Sequence, residues 1–118
     1  MKIAFVDFVF EEREAIQLEG CEFEIHPPLR SAEELIAAAQ DAEVLLMRDQ
    51  FGQVTAKVLD ACPRLKLVVT RSAGYDHIDL EAAQARGVVV CNVPDYGAHM
   101  IAEHAFGLML AVARNICR

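Results

Sequence analysis

The chain has 118 residues, 54% of them hydrophobic and 25% charged, with four prolines and six glycines; this excludes a disordered or fibrous polymer and fits one domain burying roughly 65% of the surface its unfolded form exposes. A formal net charge of -7, with no cluster of lysine and arginine, sets the summed field against nucleic acid and anionic membranes, so neither is expected as a partner. Met1 to Asp7 carry too short an apolar run for a secretory signal, and Cys21, Cys62, Cys91 and Cys117 form no Cys-x-x-Cys pair; a cytoplasmic protein with reduced thiols and no zinc is expected.

Along the chain, apolar runs alternate with helical patterns. Five strands are expected, at Ile3–Asp7, Cys21–His26, Val44–Arg48, Leu67–Arg71 and Val88–Asn92, each rich in Val, Ile, Leu or Phe and apolar enough to be covered on both faces. Between them, Ser31 to Glu34 has the form of a capping box, Thr55 and Asp79 are placed to cap helices, and Gly87 sits where a helix-ending glycine belongs. Pro27, Pro28 and Pro63 fall in connections, and no repeat or linker divides the chain. Five βα units with right-handed crossovers give a flavodoxin-like, doubly wound parallel sheet of order 2-1-3-4-5, with helices on both faces.

The last helix is expected from about Ala98 to Cys117 and is apolar nearly all round, from Ile101 and Ala102 through Phe106, Leu108 and Met109 to Ile116. One sheet face cannot bury so wide a surface, and the run is too short for a bilayer span, so a subunit or domain interface is expected there. No C-cap signal is read before Arg118, as though the chain were cut from a larger protein.

In an open parallel sheet, ligands bind beyond the carboxyl ends of the strands. There the third strand runs into Arg48-Asp49, the fourth into Arg71-Ser72-Ala73-Gly74-Tyr75-Asp76, and the fifth into Asn92-Val93-Pro94-Asp95-Tyr96-Gly97. Gly74 permits a sharp turn and leaves the amides of Ala73 and Gly74 able to cradle an anion, for which a carboxylate is suited. Arg48 and Arg71 could each hold a carboxylate in two-point fashion, or pair structurally with Asp49, Asp76 or Asp79; the structural reading is preferred for Arg71. Tyr96 could offer its hydroxyl to a substrate or pack against the last helix. His26 is expected at the surface and His77 as a brace for the Gly74 loop; His99, Glu103 and His104 fall short of a metal set. No two of Gly20, Gly52, Gly74, Gly87, Gly97 and Gly107 stand in Gly-x-Gly spacing, so the dinucleotide fingerprint is missing.

The stretch Leu65-Lys-Leu-Val-Val-Thr-Arg-Ser-Ala-Gly-Tyr-Asp-His-Ile-Asp79, with Arg86-Gly-Val-Val-Val-Cys-Asn-Val-Pro94 and Ile101-Ala-Glu-His104, resembles the NAD-dependent D-2-hydroxyacid dehydrogenases, in particular D-lactate dehydrogenase-like members. The resemblance implies that residues 1–118 are a substrate-binding domain, with the NAD-binding Rossmann domain lying outside the chain. Ala73 and Gly74 would grip the carboxylate of a small 2-hydroxy or 2-oxo acid, Tyr96 would border it and Ile101 would lie near the nicotinamide. The helix 98–117 would lead to the cofactor domain and contribute to a homodimer. No catalytic residue maps onto this chain, so no catalysis is expected from it alone. Many members begin this helix with Ser-Pro-Asn, where this chain has Gly97-Ala98-His99.

Two other readings compete. A phosphorylated receiver domain shares the length and fold; Asp7, Asp49 and Thr70 mimic three of its positions, but no acidic pair follows the first strand and no lysine follows the fifth. A stand-alone interaction module would dimerise through its last helix and have no chemistry.

Overall fold

The computed structural model describes residues 1–6, 18–48 and 52–116. In chain order these form β1 (Lys2–Val6), β2 (Glu22–His26), α1 (Ala32–Ala39), β3 (Val44–Met47), α2 (Ala56–Ala61), β4 (Leu67–Thr70), α3 (Leu80–Ala85), β5 (Val89–Cys91) and α4 (Ala98–Ala113). All strand pairs are parallel and the sheet order is β2-β1-β3-β4-β5, as expected. The expected helix between the first two strands falls on residues 7–17, outside the described residues.

Strand alternation sends Ala4, Val6, Leu45, Met47 and Val68 to one face, where they join Leu35, Ala39, Val58, Leu59 and Ala83 from α1, α2 and α3 in a single core. On the second face Ile3, Phe5 and Val44 are buried, Leu46, Leu67 and Val69 are part-buried, and Val89 is 58% exposed. Coverage of that face therefore fades toward β5, where the apolar sequence alone predicts two buried faces. Edge strand β2 also departs from a continuous apolar run: Glu22 and Glu24 point out, and Glu24 pairs with Lys2 at 2.8 Å. Charge at an edge discourages further strand pairing.

Helix starts follow their local signals. The Glu34 amide donates to Ser31 Oγ at 3.1 Å while the Ser31 and Arg30 amides donate to Glu34 Oε2, completing the capping box. Asp79 accepts from the Ala82 amide at 2.9 Å, but Thr55 holds the N-cap position without a side-chain bond. Gly87 has φ +69, the left-handed conformation that suits glycine after a helix.

Helix α4 stands away from this body. None of its residues is buried, and the chain's 17.7 Å radius of gyration exceeds the roughly 13–14 Å of a compact domain of this size. Contrary to the expectation of no C-cap, it ends in a complete Schellman motif: Asn115 is left-handed at φ 52, its amide reaches Val112 O at 3.2 Å, and the Ile116 amide reaches Ala111 O at 3.0 Å. Asparagine is the usual substitute for glycine there, so the signal was present. The helix stops at Ala113, short of the expected Cys117.

Candidate functional site

Strands β3, β4 and β5 each end one residue earlier than apolarity alone predicts, which turns Arg48, Arg71 and Asn92 out at the carboxyl edge. The ladder nonetheless runs one bond further, because the Arg71 amide donates to Met47 O at 2.9 Å. The loop after β4 is thus launched from a strand paired on both sides, between β3 and β5.

Hydrogen bonds then pin that loop. Thr70 is fully buried and its Oγ1 lies 2.7 Å from the buried Ser72 Oγ, which donates onward to Gly74 O at 2.8 Å. From the β5 side, the Val93 amide donates to Ser72 O at 3.1 Å and Asn92 Nδ2 donates to Ala73 O at 2.8 Å. The far end is tied to the segment before α2: the Val54 amide donates to His77 O and the Asp79 amide to Val54 O, both at 2.9 Å. His77 thus braces the loop through its backbone.

Ser72, Ala73 and Gly74 therefore have engaged carbonyls, while the amides of Ala73 and Gly74 donate to no group among the described residues. Both residues are exposed. Successive open amides can accept an anion without any formal charge on the protein. The chain bends at residues 71–73, just before Gly74; the φ of Gly74 is not positive, and an added Cβ would lie 3.6 Å from Asp76 Oδ2, an ordinary contact.

The remaining expected site residues are less closely joined. Arg48 is part-buried at the end of β3 and engaged in a contact of its own; Asp49, its expected partner, lies outside the described residues. Arg71 stacks on the Phe5 ring, 4.9 Å from its centroid, a contact other than the expected pairing with an aspartate. Tyr96 is 66% exposed, and Ile101, on α4 itself, is 70% exposed. His26 is part-buried rather than superficial. Thr70, which mimics the receiver hydroxyl, is sealed inside the core, and Asp7 and Asp49 lie outside the described residues. Among the described residues no three acidic, histidine or cysteine groups could hold a metal.

Sequence reasoning passed over Ser72 and Asn92. The one available signal was a hydrogen-bonding residue at a strand's carboxyl end facing a glycine loop. A small cavity of about 120 Å³, lined by Tyr75, Leu80, Val90 and Asn92, adjoins the loop. A larger one of about 300 Å³ lies toward the opposite edge, among Leu59, Cys62, Leu65 and Val88, and is rimmed by Arg86, whose Nε donates to Asp60 at 2.9 Å. Its polar groups are already paired with each other, so the carboxyl edge is the better site. Away from this edge, Lys2, Lys57 and Lys66 hold Glu24, Glu33 and Glu43 below the usual carboxylate range, and burial pushes the Cys62 thiol up.

A dinucleotide fits these residues poorly. Gly52, Gly74 and Gly97 follow β3, β4 and β5 one to a loop, whereas a pyrophosphate cradle needs several glycines in one strand-to-helix turn.

Residues 3–115 match the sequence profile of the D-isomer specific 2-hydroxyacid dehydrogenase catalytic domain. The chain is 39% identical over 116 residues to D-3-phosphoglycerate dehydrogenase of Methanocaldococcus jannaschii, covering 98% of this chain and 22% of that protein. It is 45% identical over 84 residues to D-3-phosphoglycerate dehydrogenase of Mycobacterium tuberculosis strain H37Rv, covering 71% and 16%. Among solved structures, D-lactate dehydrogenase from Aquifex aeolicus, complexed with NAD and lactic acid, superimposes with TM-score 0.77 at 28% identity, covering 94% of this chain and 33% of that one. The chain thus spans about a fifth of the length of these curated relatives. Among the described residues, no helix is long and apolar enough to cross a membrane.

Proposed function

The chain belongs to the D-isomer specific 2-hydroxyacid dehydrogenase family, and on that premise we propose that it is the substrate-binding side of such an enzyme, one that interconverts a small 2-oxo acid and its D-2-hydroxy acid. The open amides of Ala73 and Gly74 hold the substrate carboxylate, with Arg48 and Tyr96 on the same edge of the sheet. NAD is held by a cofactor domain outside these 118 residues, and Ile101 lies toward its nicotinamide. This chain alone therefore transfers no hydride. Its bare α4 serves as the contact to that domain and to a second copy of the chain. The partners are a small acid, the cofactor domain and a like subunit, in the cytoplasm, with no part for nucleic acid. The receiver reading gains nothing from the buried Thr70.

The observation that carries this reading is the pinned loop, with engaged carbonyls on one side of three successive peptides and open amides beyond. Titration with oxalate, followed through backbone amide shifts, tests it. The shifts are expected to centre on Ala73, Gly74 and Tyr75; a titration that moves other residues and leaves 71–76 untouched refutes the assignment.

A further inference from the structure

A trans peptide unit is planar, and its C=O and the N–H of the next residue point to opposite sides. Fixing one carbonyl therefore fixes the following amide. Among the described residues no peptide bond is cis, so the three bonds onto Ser72 O, Ala73 O and Gly74 O set the directions of the Ala73, Gly74 and Tyr75 amides in turn. Two of these bonds come from close at hand or from backbone: Ser72 Oγ reaches only two residues along, and Val93 uses its main-chain amide. The middle one comes from a side chain 19 residues away, on the far side of α3.

We propose that Asn92 is a positioning residue for substrate binding: its side-chain amide, held on the Ala73 carbonyl, aims the Gly74 N–H at the substrate carboxylate. Its place makes it suited to this. Cys91 pairs in register with Val69, so Asn92 is the first residue past the β5 ladder. It shares the small cavity with Tyr75, Leu80 and Val90, and its carboxamide nitrogen is held on the Ala73 carbonyl at 2.8 Å. An aspartate there would place a carboxylate against a carbonyl oxygen and offer no donor at neutral pH; an alanine would leave the peptide unit free to rotate.

The inference rests on the assignment of Ala73 and Gly74 to the carboxylate, and the experiment separates the two. Oxalate is titrated into the unaltered chain, Asn92→Ala and Asn92→Asp, with the Gly74 N–H direction read from residual dipolar couplings in the ligand-free proteins. Both variants are expected to bind oxalate about 5-fold or more weakly, the effect of one net hydrogen bond, with an altered coupling at Gly74 and unaltered couplings through β4 and β5. Unchanged affinity in a folded variant, or weaker binding with the Gly74 coupling unmoved, overturns the positioning role. Failure of the unaltered chain to shift at 73–75 overturns the site itself, and the role with it. Should Asn92→Ala not fold, Asn92→Asp, of nearly the same shape, decides alone.

Discussion

Gly74 follows the bend at residues 71–73 without a positive φ, and the space beside it admits a methyl group. Gly74→Ala should consequently leave the fold intact and keep or raise the urea midpoint, since alanine has less freedom to lose on folding; a fall of more than about 1 kcal/mol in unfolding free energy contradicts this account of the loop. Cys62 is 2% exposed, and burial holds its thiol above the ordinary range. Because the folded value is the higher one, the stability it contributes is complete below the unfolded thiol pKa of about 8.5 and declines as pH rises through the folded value. Mass mapping after brief alkylation at pH 8 should find exposed Cys91 modified and Cys62 untouched until urea unfolds the chain. Residue roles were only partly legible in advance. The open amides could be foreseen from a glycine in a strand-to-helix loop, but the Asn92 and Ser72 bonds depend on side-chain geometry that has no periodicity. The stack of Arg71 on Phe5 likewise joins residues 66 apart in the sequence.

Elements read more readily from the chain, because their signals are local. Ser31 and Glu34 announced the start of α1, and both halves of that capping box form. Replacing Ser31 with alanine is expected to lower unfolding stability by about 1 kcal/mol, while Ser31→Asp should retain most of it; urea denaturation of the two variants checks the difference. Strand positions followed from runs of Val, Leu and Phe, and erred by a residue at their ends because the arginines and asparagine that leave the sheet there have long or polar side chains compatible with either state. The Schellman close of α4 was overlooked for a different reason: Asn115 does what glycine does more commonly, by tolerating a left-handed backbone at φ 52.

At the scale of the molecule, the sheet order could be anticipated from alternation and crossover handedness, whereas the second face's fading coverage and the bare α4 could not be placed by pattern. A helix apolar all round predicts contact with something, without saying where. Met100, Ile101, Phe106, Leu108, Met109, Leu110 and Val112 each remain more than half exposed, a surface that an aqueous monomer rarely maintains. Light scattering of the purified chain should therefore report twice the 13.1 kDa chain mass, and Phe106→Glu with Leu110→Glu should return it to the monomer without loss of sheet structure. The proposed function assigns the substrate's carboxylate site to this chain and leaves the cofactor to another domain. It is tested most directly by titrating NADH and oxalate separately into the chain, following nucleotide fluorescence for the one and the Ala73 and Gly74 amides for the other. Oxalate shifts at those amides with no NADH binding are predicted; NADH binding by this chain would contradict the claim.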